Sequence, residues 1–269
     1  MTRARKLRVW LRERGVLWTL LYGIRWAGRR TVHLIEQRLI ALEKRRLLTG
    51  DDTVSSSYHS SVENRAIWDS YDWSQGGEEW TAAVAGYRGL APDEWKASLV
   101  DGVMRKYITG GSTVLEIGPG GGRWTEALRT MAGRLILADI SRHCLDTCRK
   151  RFEGDRRIEY HLITGGAFPF LEDDSIDRAW SYDVFVHINP SDTERYVHEL
   201  RRVLKPGGVA VIHHSGTYAT EREAAESFRS HVTERLFAHF VKGAGLRIME
   251  QDRTSVHKPG DCITVVAKP

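Results

Sequence analysis

A chain of 269 residues that is 41% hydrophobic and 28% charged can bury a core and lacks the composition of a disordered protein. Three cysteines, Cys144, Cys148 and Cys262, exclude a disulfide framework and fit a reducing, cytosolic setting. The net charge of +5 joins two unlike parts: residues 1–50 hold 13 Lys+Arg against 3 Asp+Glu, a net +10, and the remainder is −5. A mildly acidic body offers no basic groove and excludes a nucleic-acid partner.

Residues 1–50 read as a basic, amphipathic helical arm. Its apolar stretch, Val16 to Ala27, is interrupted by Gly23 and Arg25 and is shorter than the ~20 residues that span a bilayer. "GRRTVHL" offers no small-residue cleavage site of the kind a signal peptide carries. Trp10, Trp18, Tyr22 and Trp26 lie among arginines, a composition suited to an anionic membrane surface. Packing against the body or in a homo-oligomer is the alternative. The localisation expected is cytoplasmic, peripheral on the cytoplasmic membrane face if the arm binds lipid.

Residues 51–110 read as a polar linker, "TGDDTVSSSYHSS", followed by a helix-rich cap with Trp68, Tyr71, Trp73, Trp80, Tyr87 and Trp95. Most of these rings are expected in a core. Tyr71 and Trp73, in "YDWSQGGEEW", are the candidates for rings that face a substrate.

Residues 111–269 alternate strand and helix. Strands are predicted at "TVLEI", "RLILAD", "IEYHLI", "DRAWSYD", "VAVIHH", "LRIMEQ" and "CITVVAK", and helices near Arg123–Ala132, Ser141–Phe152, Asp192–Leu204 and Ser230–Gly243. The fold class expected is α/β: a Rossmann-like, seven-stranded, mostly parallel sheet with an antiparallel last strand. Pro206 is expected to stop a helix, with Gly207 and Gly208 opening the next strand. Cys144 and Cys148, one helical turn apart beside His143, have no second ligand pair, so no metal site is expected.

"VLEIGPGGGRWTEAL", Val114 to Leu128, places four glycines and a proline where the first strand becomes a helix. Either the turn is merely tight, or its bare backbone must lie against a ligand. Gly118, Gly120 and Gly122 give G-x-G-x-G, and Arg123 stands where a dinucleotide fingerprint would have its last glycine. A bulky "RW" at the helix start also argues against a diphosphate. Asp139 ends the second strand, seventeen residues after Gly122, where a carboxylate can accept two hydrogen bonds from a ribose diol. Together these features point to a nucleoside ligand.

In order and spacing, "LEIGPGGG", Asp139, "FPFLEDDSIDRAWSYDVFVHI" and "ELRRVLKPGGVAVIHH" resemble the class I S-adenosylmethionine-dependent methyltransferases over about Ser112 to Pro269. The resemblance implies S-adenosylmethionine as cofactor. It places Glu116 and the turn of Gly118, Pro119, Gly120 and Gly122 at the methionine end, Asp139 at the ribose and Ile140 at the adenine. Ser181, Tyr182 and Asp183 would border the reacting methyl group. Many members carry an acidic residue before the "FPF"-like segment to meet the adenine amino group, but "ITGGAF" supplies only Thr164, Gly165 and backbone. "WDSYDWSQGGEEW", "IHHSG" and "FRSHVTERL" resemble a bacterial subgroup associated with cell-surface glycan or lipid modification.

Methyl transfer to a hydroxyl needs a base at the carboxyl ends of the fourth and fifth strands. His214, His187 and His213 are the candidates, with Asp183 orienting the cofactor or the base. Adjacent strand residues face opposite ways, so only one of His213 and His214 can readily face a pocket. The function expected is O-methylation of a sugar or lipid-linked glycan hydroxyl. The alternative is a small-molecule O- or N-methyltransferase of specialised metabolism.

Overall fold

The computed structural model describes residues 15–17, 20, 61–216, 230, 232–254, 258 and 260–269. The chain divides into two compact units, 1–57 and 58–269. In the first, residues 15–17 and 20 are helical. The rest of the predicted arm and the linker up to residue 60 lie outside the described residues.

The second unit opens with α1 (Ser61–Ser70), α2 (Thr81–Gly86) and α3 (Pro92–Leu99), the last running through a π-helical turn, Val100–Met104, into Arg105–Tyr107. Pro92 begins α3, and Glu94 accepts the Ala91 N–H, satisfying an end donor. Trp95, Leu99 and Met104 are fully buried. They join Val114, Leu135 and Val211 in one apolar cluster, so this part of the cap belongs to the main core.

Beyond it run β1 (Thr113–Ile117), α4 (Thr125–Leu128), β2 (Arg134–Asp139), α5 (Arg142–Arg151), β3 (Ile158–Leu162), β4 (Ile176–Ser181) and α6 (Pro190–Val203). β5 (Leu204–Ser215), α7 (Glu234–Gly243), β6 (Arg247–Asp252) and β7 (Asp261–Ala267) follow. The sheet order is β3-β2-β1-β4-β5-β7-β6. β7 is antiparallel to both β5 and β6, and the remaining pairs are parallel. The seven-stranded, mostly parallel sheet with an antiparallel last strand is therefore present. Its switch point lies where β1 is flanked by β2 on one side and β4 on the other, which opens a crevice at the strands' carboxyl ends.

Side-chain caps set the major helices. Ser141, Asn189 and Thr233 accept the N–H of Cys144, Asp192 and Leu236, as N-caps do. α6 buries Tyr196, Val197, Leu200 and Val203, the stripe that its 3.6-residue period aligns.

Two expectations need correction. The helix after β1 spans only four residues, because the glycine turn continues through Arg123 and Trp124 before α4 begins. α6 ends at Val203, three residues before Pro206, because Leu204 turns to extended backbone and pairs with Ile176.

Candidate functional site

Two clefts meet over the carboxyl ends of β1, β4 and β5. The first, about 890 Å³ counted out to its mouth, is lined by Gly118, Pro119 and Gly120 of the turn, by Asp139 and Ile140 after β2, and by Ile163 after β3. The cap closes it with Ser61, Asn64, Trp68, Trp73, Gly77 and Trp80. The second cleft, about 870 Å³, has cap residues Ile67, Tyr71, Val84 and Tyr87 on one side and Val186, His213 and Asp261 on the other. Trp68, Trp80, Tyr182, Asp183 and His187 line both.

The turn answers the question its glycines raise in two ways. Gly118 and Gly120 have φ of +70° and +55°, in the left-handed region that favours glycine. They also line the first cleft. Yet much of the demand for bare backbone comes from the protein itself. A Cβ on Gly120 would lie 2.9 Å from the Trp73 ring, and one on Gly121 would strike the backbone of Gly76 and Gly77. The cap is seated on the turn.

Asp139 is buried and accepts the Ser141 N–H at 2.8 Å on one oxygen. Its other oxygen meets the Gly120 N–H only at 3.4 Å, so it keeps lone pairs for a ligand. Burial pushes this carboxyl up to about 6. Behind it, Asp69 of α1 accepts the Ser141 hydroxyl at 2.7 Å, fixing the cap to the start of α5.

Asp183 closes the β4 end of both clefts. It is a non-glycine residue at φ +61°, a strained conformation that persists only where the surroundings hold it. Arg123 Nη1 lies 3.4 Å from its Oδ2 and His213 Nδ1 lies 3.3 Å from its Oδ1. The Asp183 N–H donates to His213 Nδ1 at 3.1 Å. With Nδ1 accepting that bond, the other ring nitrogen, Nε2, lies 3.3 Å from Asp261 Oδ2 without a formed hydrogen bond. The His213 ring stacks on Tyr182 at 4.2 Å.

Several residues lie elsewhere than expected. His214 packs against Phe237 at 4.1 Å and bonds Ser215 O and Thr264 Oγ1. It lines neither cleft, because the β5 pleat turns it to the opposite face from His213. Burial drives His214 down to about 3. Glu116 bonds Thr125 Oγ1 at 2.6 Å beneath the turn, and burial raises it to about 8. It is not in the cleft lining. Gly122 faces Phe152, whose ring a Cβ would meet at 2.7 Å. The Ser181 hydroxyl donates to Ile117 O. Thr164 is exposed and Gly165 abuts Ser61, so Ile163 takes their place in the lining. Trp73 lines the first cleft, not the second. Its indole donates to Trp68 O.

Arg123, Asn64, Asp192, Ile163 and Asp261 also line these clefts, and none of them belongs to a local motif for a ligand. Asp261 opens a strand, and nothing local marks it. Arg123 follows the glycines of the turn, where its bulk argues against a diphosphate. Among the described residues no group of three or more His, Cys, Asp or Glu is placed to hold a metal ion, and no helix is long and apolar enough to cross a membrane.

Residues 114–208 match the family described as "Methyltransferase domain". That match covers the segment from β1 to the start of β5. The chain is similar to the demethylmenaquinone methyltransferase of Clavibacter sepedonicus, with 34% identity over 102 residues, 38% of this chain and 40% of the relative. It is also similar to phosphoethanolamine N-methyltransferase 1 of Triticum aestivum, with 32% identity over 111 residues, 39% of this chain and 22% of that one. It thus spans less than half the length of these relatives. A solved S-adenosylmethionine-dependent methyltransferase from Aquifex aeolicus has the same fold at a TM-score of 0.51 and 20% identity, covering 66% of this chain and 98% of that one.

S-adenosylmethionine is the cofactor such a domain takes, and the first cleft fits it. Asp139 has acceptor capacity for a diol, Ile140 and Ile163 supply apolar surface for a base, and the turn supplies close backbone.

Proposed function

We propose that the chain transfers a methyl group from S-adenosylmethionine, held in the first cleft, to a hydroxyl of an acceptor seated in the second. The observation that carries this reading is the junction of the clefts at Trp68, Trp80, Tyr182, Asp183 and His187. A nucleophile there could approach the methyl group in line, and the walls exclude much of the water.

Bound S-adenosylmethionine supplies an electrophilic methyl group on a sulfonium. Asp139 holds the ribose, and the Gly118–Gly120 backbone follows the chain toward the junction. Asp183 and the surrounding rings suit a cation that loses its charge as the methyl leaves. His187 borders both clefts and takes the hydroxyl proton. His213 positions Asp183, whose N–H its Nδ1 accepts, and its Nε2 lies beside Asp261.

The acceptor class we favour is a sugar or lipid-linked glycan. The Trp68, Tyr71 and Trp80 rings, with centroids 5.3–6.4 Å apart, offer apolar faces on which a sugar ring can stack. The basic arm would bring the enzyme to an anionic membrane surface carrying such acceptors, which deletion of residues 1–50 and vesicle sedimentation would test. Asp183 and Asp261 at the second cleft also favour a second reading, a small cationic amine or amino-alcohol acceptor. Radiolabelled S-adenosylmethionine incubated with the protein and fractionated extract separates the two. Label in polar lipid or glycan supports the first, label among small metabolites supports the second, and no transfer to any fraction counts against both.

A further inference from the structure

Arg123 carries a positive charge into the wall of the first cleft with its side chain 5% exposed. The guanidinium carbon lies 5.4, 5.6 and 5.9 Å from the ring centroids of Trp80, Trp95 and Trp124. Nε donates to Gly77 O of the cap. Its acidic neighbours engage it only at long range: Asp183 Oδ2 accepts Nη1 at 3.4 Å and Glu78 Oε2 lies 4.0 Å from Nε, against the ~2.7–2.9 Å of a well-formed charge-assisted hydrogen bond.

Both acids also serve other donors. Glu78 takes Lys96 at 2.5 Å and Thr81 at 2.6 Å, and Asp183 faces His213. Among the described residues Nη2 has no hydrogen-bond partner. A buried guanidinium so loosely paired is unfavourable unless an anion completes its shell. A planar fork of donors suits a carboxylate in particular.

The lining of the cleft shows which anion. Asp139, Ile140 and Ile163 offer a diol acceptor and apolar surface, whereas Arg123 stands with Gly77, Trp80, Trp124, Tyr182 and Asp183. We infer that Arg123 binds the carboxylate of the amino-acid portion of the cofactor, an inference that rests on S-adenosylmethionine occupying this cleft. Because Arg123 also holds Gly77, the same contact favours the seated cap.

Calorimetry on the full chain tests this with two probes, S-adenosylhomocysteine and its decarboxylated analogue, which keeps the amine and lacks only the carboxylate. The wild type is expected to prefer the carboxylate-bearing probe by about 10–100-fold. Arg123→Gln should lose most of that preference while binding the decarboxylated probe as the wild type does, and Arg123→Lys should keep part of it. An unchanged preference in Arg123→Gln overturns the inference. So does an equal loss for both probes, since Arg123 would then serve only to seat the cap. A wild type that binds neither probe removes the cofactor reading itself, and the inference with it.

Discussion

His213 and His214 are neighbours on one strand with opposite fates. His213 faces a cleft between two carboxylates, whereas His214 sits against Phe237 with both ring nitrogens hydrogen-bonded in the core. The buried acids divide likewise: Asp139 lines the first cleft, and Glu116 is tied to Thr125 beneath the turn. Residue type does not separate the groups that can meet a ligand from those that hold the scaffold. The side of the strand does.

The sharpest test on the cleft side is His187→Ala, expected to lower turnover by ~10²–10⁴-fold while cofactor affinity, read by calorimetry, stays within a few-fold. Unchanged turnover would move the base elsewhere at the junction. On the packed side, His214→Ala should lose about 2–4 kcal/mol of stability in urea unfolding, with turnover per folded molecule retained. The sign of its pH dependence is distinctive. His214 resists protonation until about pH 3 when folded, whereas an unfolded histidine takes a proton near ~6.5. The unfolded chain therefore binds more protons between these values, and stability falls as pH drops through that window. The variant should show a weaker fall. A catalytic defect in fully folded His214→Ala would erase the distinction between the two faces.

Asp139→Ala should weaken cofactor binding by about 1.5–3 kcal/mol. In the wild type the carboxylate protonates near pH 6, so affinity should decline as pH falls through that value. Affinity that ignores both the substitution and the pH would remove Asp139 from the ribose. The remaining test, on stability alone, is Glu116→Gln. Glu116 keeps its proton up to about pH 8 when folded, so ionising it destabilises the fold as pH rises from ~4.5 towards 8. The neutral variant should melt higher than the wild type at pH 8.5 and no differently at pH 4. A strong loss of cofactor affinity in this variant would return Glu116 to the cleft.

The fold and half of the site were legible because their signals are local. Short, mostly apolar runs mark the strands and 3.6-residue spacing marks α5 to α7, and a glycine turn followed by a strand-ending Asp139 marks the crevice wherever such a strand pair lies side by side. Other features depend on residues brought together from afar. Arg123 meets Gly77 across 46 positions, Ser61 meets Asp192 across 131, and Asp261 reaches His213 only because β7 inserts between β5 and β6. Trp73 looked like a substrate platform by composition, yet it covers Gly120. The amino-acid pattern by itself determined the sheet, its turn and the residue types at the strand ends. Only the tertiary structure decided which of those residues face the clefts, because the side of a strand that meets a cleft, and the packing of the cap, are set by contacts that no local period encodes.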